Sequence, residues 1–376
     1  MYKPSPLLAP VLYIPGMIYQ AGVYLRNRAF DGGLIPARNL SQPVVSVGNL
    51  TLGGTGKTPF VICLAGLLKV IGYEAAILTR GYGRVESAKT IILAPEEDTD
   101  FSMFQLGDEP SLIRRRLPES WLGVSSDRFL AASAISRRIE STKRGYPLVF
   151  ILDDGFQCRG IRRDFDIVMV DPAQPPGIER MFPMGALREP VTELRRARVI
   201  VINGAGLSDT NGARNTHLEK TTERLRKYAP EADFFHCIQR IHEIIPFSAW
   251  LDVKVPQQLQ AQPKTAFLAA AIGNPYRFKD DIQGIGIETR GCAFFRDHAV
   301  IDKKRMEMCV AAARKANAEA IIITEKDAVK IYSPPDFPLH VAVQKTELYD
   351  DGRFLEILQR VLINAGTVRS LPKHKS

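Results

Sequence analysis

Short apolar runs recur through the first 200 residues, separated by stretches of helical length. Val44-Val45-Ser46-Val47, Ala75–Thr79, Trp121–Val124, Leu148–Leu152, Ile167–Val170 and Val199–Asn203 each read as a buried strand, with Ile91–Ala94 as a further short one. Pro59–Val70 and Arg128–Glu140 read as helices between them, the second capped by Asp127. The pattern weakens from Leu207 to Lys264, polar and helical at first and then mixed, with Phe234–Ile244 as a crossing strand. It resumes with strands at Thr265–Ala271, Gly291–Phe295 and Ile321–Thr324, a turn at Gly273-Asn274-Pro275, and helices over Met306–Ala316 and Phe354–Leu362. Strands alternating with helices predict an α/β chain, a mostly parallel sheet with helices on both faces, plus a second, smaller α/β domain. The expected division is an N-terminal helix over 1–30, a core over 31–232, the smaller α/β domain over 233–345, and a C-terminal helix and tail over 346–376.

The N-terminal stretch departs from this alternation. From Pro4 to Leu25 there is no charged residue, and Arg26 and Arg28 follow. A spanning helix needs about 20 apolar residues, but Pro10, Pro15 and Gly16 interrupt this run. With no basic leader and no small-residue cleavage site, no signal peptide is expected. Tyrosines among aliphatics ahead of arginines suit a helix lying in a membrane interface. An apolar helix packed on the domain reads equally well, and one helix can do both with different faces.

The turn after the first strand carries the clearest chemistry. Thr51-Leu52-Gly53-Gly54-Thr55-Gly56-Lys57-Thr58 joins that strand to the helix beginning near Pro59. Strand, glycine-rich turn, Lys-Thr and helix make a phosphate-binding loop, so the sheet is expected to be P-loop NTPase-like. Glycines let backbone N–H groups converge on phosphate oxygens, and the helix N-terminus adds partial positive charge. Lys57 would reach the β- and γ-phosphates of ATP, and the Thr58 hydroxyl would ligate Mg²⁺. Thr51 stands where the usual motif has glycine.

Other groups gather at strand ends, where ligands bind in open α/β sheets. Asp153 and Asp154 close an apolar strand, the position from which a second acidic motif holds Mg²⁺ or its water; an Asx turn would place them there too. Arg80-Gly81-Tyr82-Gly83-Arg84 is a basic, glycine-hinged loop. Asp108 and Glu109 open a short helix, and transfer of a phosphoryl group to a hydroxyl needs a group that accepts the proton.

Composition adds a boundary and a charge. At 376 residues, 45% hydrophobic and 24% charged, the chain has the make-up of a globular protein of two domains. Its net charge of +9 favours acidic partners. Five cysteines with no C-x-x-C pair argue against a zinc site and a disulfide scaffold. Nucleic acid is not expected, because the arginines are not interleaved with an aromatic platform.

The motifs in order resemble one family. Ser46-Val47-Gly48-Asn49-Leu50, Gly53–Pro59, Thr79–Gly83, Gly107-Asp108-Glu109-Pro110, Ser126-Asp127-Arg128, Asp153–Gln157, Gly185–Glu189, Asp297-His298 and Thr324–Asp327 are similar to those of the tetraacyldisaccharide 4′-kinases, lipid A pathway enzymes of Gram-negative bacteria. The resemblance implies transfer of the ATP γ-phosphate to the 4′-hydroxyl of an acylated diglucosamine 1-phosphate, giving lipid IVA. It implies Asp108 as base helped by His298, Lys57 and Arg188 on phosphates, and Thr58, Asp154 and Glu189 around Mg²⁺. Arg80, Tyr82, Glu109, Arg128 and Gln157 would stand on the substrate side. It implies an N-terminal helix at the cytoplasmic face of the inner membrane, in peripheral contact with it, and no obligate protein partner. Residues 207–262 carry none of these motifs. The alternative is a P-loop ATPase switch of the partitioning or metal-insertion type, which uses similar loops.

Overall fold

The computed structural model describes residues 9–82, 84–85, 88–97, 103–142, 147–172, 175, 180–204, 213–251 and 262–370. Pro4–Leu8 of the apolar run, Gly83 of the basic loop, and 207–212 and 252–261 of the weakly patterned segment lie outside these residues. The strands are β1 (Val44–Gly48), β2 (Glu74–Thr79), β3 (Ile91–Leu93), β4 (Trp121–Val124), β5 (Leu148–Asp153), β6 (Phe165–Val170), β7 (Val199–Asn203), β8 (Asp233–Pro246), β9 (Thr265–Ala270), β10 (Glu288–Phe294), β11 (Ala320–Thr324) and β12 (Leu339–Leu348). The helices are α1 (Ala9–Asp31), α2 (Lys57–Val70), α3 (Met103–Leu106), α4 (Asp108–Arg116), α5 (Arg128–Thr142), α6 (Ala213–Arg226), α7 (Phe247–Leu251), α8 (Pro275–Gly284), α9 (Lys303–Lys315), α10 (Glu325–Ala328) and α11 (Asp351–Ser370).

The twelve strands among the described residues form one sheet, in the order β10-β9-β11-β12-β8-β7-β6-β1-β5-β2-β4-β3. Most neighbours are parallel; β3 with β4 and β8 with β12 are antiparallel. Strands of a parallel sheet are covered on both faces, which is why β1, β5, β6 and β7 are mostly apolar, with Ser46 and Asp166 the polar interruptions within them, and are buried throughout. Alternate residues face opposite helix layers. Phe60, Leu64 and Leu68 of α2 and Phe354, Leu358 and Leu362 of α11 pack on Val45, Val47, Ile77, Ile151 and Ile167. Phe354 meets the rings of Phe60, Phe165 and Phe235 edge-on at 6.3, 6.4 and 5.3 Å. The other face takes α5 against Val44, Ala76, Leu78 and Phe150, and Val23 of α1 with Leu218 and Leu225 of α6 against Val168, Val170, Ile200 and Ile202.

The expected boundary at 232/233 falls at the first residue of β8, a strand that serves both ends of the sheet. Its residues Asp233–Cys237 pair in parallel with β7. Cys237–Pro246 pair antiparallel with β12, from Leu348 back to His340. β9, β10 and β11 run with β12, so they oppose the strands around β1. β11 joins β12 only along Leu339–Ala342, opposite Ile244–Pro246. The second half therefore lies beyond the carboxyl ends of the first, pointing back at them. Two sets of strand ends face one another across a single cleft. The sequence reading contains neither β12, whose outer residues Gln344-Lys345-Thr346-Glu347 are polar, nor α8, which buries only Phe278 and Ile282.

The N-terminal run forms α1. A narrow stripe, with Gly16, Val23 and Asn27 buried, meets the body of the protein. Val11, Ile14, Met17, Ile18 and Leu25 stand on the uncovered side, Ile14 and Ile18 at 67% and 68% exposure. Among the described residues no helix is long and apolar enough to cross a membrane.

Candidate active site

The loop after β1 is stitched to a distant segment. Leu52 N–H donates to the Ala186 carbonyl at 2.7 Å, and Arg188 N–H to the Leu50 carbonyl at 2.7 Å. This pairing sets Arg188 beside the loop. Gly53 and Gly56 adopt φ of +112° and +84°, values that only glycine takes without strain. α2 begins at Lys57, two residues before the expected start; Pro59 fits because N–H groups of the first turn have no intrahelical acceptor. Lys57 Nζ donates to Asn49 Oδ1 at 3.1 Å and lies 3.5 Å from Asp154 Oδ1. Arg188 Nη1 spans both Asp154 oxygens at 3.0 and 2.8 Å. Burial works to raise the Asp154 carboxyl, but Lys57 and Arg188 outweigh it and hold it below the usual range. Two cations and one carboxylate thus stand ready at the mouth of the loop.

Asp153 takes a different position. It is buried, its Oδ2 accepting from Thr79 Oγ1 at 3.3 Å and its Oδ1 without a partner among the described residues. Burial raises its pKa, and the charges of Glu109 and Asp154 add to that. Mg²⁺ binds with few protein ligands, taking phosphate and water for the rest. The unpartnered Asp153 oxygen, the Asp154 carboxylate and Thr58 in the cleft lining fit such a cation.

Glu189, expected beside Mg²⁺, is elsewhere. It is fully buried, with one oxygen held by Arg26 of α1 and the other by Arg196. Arg196 also donates to the Phe156 carbonyl at 3.1 Å and lies over the Phe156 ring at 4.0 Å. In this structure both Glu189 oxygens are taken up by cations, as suits a buried charge. Glu189 bolts α1 to the body, one residue from Arg188, whose own carbonyl accepts from Tyr19 Oη at 2.9 Å.

Arg128 and Gln157 also support the site from behind. Arg128 Nη1 donates to the carbonyls of Asp153 and Asp154 at 2.7 and 3.2 Å and is almost wholly buried. Gln157 Nε2 donates to the Asn49 carbonyl at 2.9 Å. They shape the acidic turn and the loop entry rather than line the cleft. Tyr82 and Glu109 do line it, and exposed Arg80 donates to Tyr82 Oη at 3.2 Å.

The cleft holds about 1350 Å³ between the loop and the second half. Its far wall includes Glu109 and His298; just behind them Asp108 opens α4, with Oδ2 accepting from His298 Nδ1 at 2.8 Å. The Asp108 Oδ1 accepts from Glu109 N–H at 3.0 Å, and the buried Lys330 Nζ lies 3.5 Å from Oδ2. Burial works to raise the Asp108 carboxyl, but the His298 hydrogen bond with Lys326 and Lys330 holds it far below the ordinary range. The same hydrogen bond raises His298 above 6.5, against burial and Lys326. His298 has φ of +62°, and its N–H donates to the Ala271 carbonyl at 3.2 Å. Lys326 pairs with Glu109 at 3.3 Å, and Arg116 holds both Glu325 oxygens at 3.0 Å. Glu325 and Lys326 lie within the motif Thr324–Asp327 but nothing in their spacing gives them a part, and Lys330 carries no motif signal at all.

One wall of this cleft has the groups to hold a polyphosphate and the other has groups that can relieve a hydroxyl of its proton. That division of labour defines a P-loop phosphotransferase. Residues 8–363 match the sequence model of the family described as LpxK, tetraacyldisaccharide-1-P 4′-kinase. The chain belongs to that family. It is 36% identical over 325 residues to the tetraacyldisaccharide 4′-kinase of Syntrophus aciditrophicus, covering 86% of this chain and 84% of the relative. It is 32% identical to that of Geobacter sulfurreducens, covering 95% and 94%. A crystal structure of LpxK from Aquifex aeolicus in complex with ATP superposes with a TM-score of 0.71 at 26% identity, covering 94% of this chain and 99% of that one.

Proposed function

We propose that this protein carries the γ-phosphate of ATP to the 4′-hydroxyl of tetraacyldisaccharide 1-phosphate, with Lys57 and Arg188 on the phosphates. The observation that carries this reading is the placement of the Asp108–His298 pair across one cleft from the phosphate loop. Mg²⁺ at Thr58 and Asp154, with Asp153 behind, would offset charge on the β- and γ-phosphates. Incubation with radiolabelled ATP and the disaccharide lipid in detergent should move label into lipid. Release of label only as inorganic phosphate, with no labelled lipid, would instead favour the ATPase-switch reading.

Asp108 and His298 act as one proton-accepting unit in this proposal. The cations around Asp108 make it a weak acceptor by itself. Its Oδ2 fixes the proton of His298 on Nδ1, leaving Nε2 for the sugar hydroxyl. The imidazole must then be neutral, so kcat is expected to fall as pH drops through a pKa above 6.5. Asp108→Asn cannot hold the imidazolium and should move that acid limb to lower pH. A rate independent of pH down to about 5 would show the carboxylate acting alone.

The uncovered face of α1 supports peripheral contact with the inner membrane at its cytoplasmic side. Replacing Ile14 and Ile18 together by glutamate should weaken sedimentation with phosphatidylglycerol-containing vesicles by about tenfold or more, given about 1.5–3 kcal/mol per buried aliphatic side chain. Unchanged sedimentation would remove α1 from the contact.

A further inference from the structure

The phosphate loop is gripped from the β7–β8 side by two amide side chains that no motif marks. Asn203 ends β7 and pairs with Cys237 of β8; Gln239 lies two residues further along β8, on the same face. Asn203 Nδ2 donates to the Thr55 carbonyl at 3.3 Å, and Gln239 Nε2 donates to the Gly56 carbonyl at 2.9 Å. Both residues are buried. The approach is so close that a Cβ on Gly56 would lie 2.2 Å from Gln239 Nε2 and 2.6 Å from Asn203 Nδ2. Gly56 is thus needed for what stands behind it as well as for its φ.

Holding those two carbonyls has a fixed consequence. A trans peptide is planar, and its C=O and N–H point in opposite directions. The Thr55 carbonyl shares a peptide with the Gly56 N–H, and the Gly56 carbonyl with the Lys57 N–H. Drawing both oxygens toward β7 and β8 turns both N–H groups away from the sheet, toward the side on which the loop meets its ligand. We infer that Asn203 and Gln239 are positioning residues that hold the Gly56 and Lys57 amides toward the phosphates of the bound nucleotide. Gln239 also brings in the second half of the protein. Its own carbonyl accepts from Arg277 Nη2 of α8 at 3.3 Å, and Arg277 lies 3.6 Å from Asp281.

This inference rests on the reading of the loop as the ATP site, which ATP binding by the parent protein tests separately. Gln239→Met keeps length and loses the donor; Gln239→Glu turns an acceptor toward the carbonyl. Affinities for Mg²⁺–ATP and for Mg²⁺–tripolyphosphate, KM for the lipid, and Tm are measured for each. Gln239→Met should bind both phosphate ligands about tenfold more weakly and Gln239→Glu about a hundredfold. KM for the lipid should stay unchanged, and Tm should move by about 3 °C or less. Weakening of ATP alone, with tripolyphosphate unaffected, would assign Gln239 to the nucleoside and overturn the inference. So would unaltered affinity for both ligands, or a fall in Tm of about 10 °C or more in both variants, which marks a structural role.

Discussion

Asp108→Ala is expected to lower kcat by about 10³-fold or more, while ATP affinity stays within about twofold of the parent. The split follows from where Asp108 stands. It sits behind His298, which lines the cleft, and its contacts run to His298, Lys330 and its own helix N-terminus rather than to Lys57 or Arg188. Removing it leaves His298 without the acceptor that fixes its tautomer, and leaves Lys330 buried without its counter-charge. The second effect lowers stability as well, so Tm must be followed beside kcat, and Asp108→Asn serves as the milder partner. His298→Ala should be less damaging, on the order of 10²-fold in kcat. Equal loss of ATP binding in Asp108→Ala would count against its place in proton transfer.

Lys57→Met should behave differently, losing about 10³-fold in kcat/KM for ATP with binding and turnover both impaired. Lys57 is within reach of Asn49 and Asp154 and follows the glycine that ends the loop. In the proposed reaction it would be the cation that meets the phosphate that moves. Its loss also removes one of the two charges that keep Asp154 ionised, so Asp154 should become easier to protonate. Nucleotide binding by Lys57→Met, followed as pH is lowered, should show a weakening toward acid that is absent from the parent. Parent-like kcat/KM in Lys57→Met would remove the loop from the chemistry.

The two predictions draw on parts of the chain that were unequally legible. The strands around the loop are apolar on both faces, so their residues announce themselves one run at a time. The loop is contiguous, so its glycines, Lys57 and Thr58 can be read as a unit. β12 is different: its outer half lines the cleft and has the polar residues a cleft requires, which erases the apolar signal of a strand. Without β12 the antiparallel turn-over at β8 is invisible, and with it the reason that Asp108 and His298 meet across 190 positions. Glu189 shows the same limit from the other side. Its place in the sequence, next to Arg188, suits a metal ligand, but Arg26 lies 163 positions away and reaches it only because α1 packs there. Spacing holds no record of that contact. Arg128 and Gln157 were likewise legible as polar residues near strand ends, while the direction in which they point was not.

α1 carries a consequence beyond adhesion. Tyr19 and Arg26 fasten it to the backbone of Arg188 and the side chain of Glu189. If its outer face rests on lipid, the altitude of the phosphate-handling arginine above the bilayer is set by a rigid strut. Acceptors whose hydroxyl rises to another height, such as an acylated monosaccharide or a trisaccharide, would then be refused by geometry, however well their sugar matched. Comparable turnover of all three on intact vesicles would deny the strut that role.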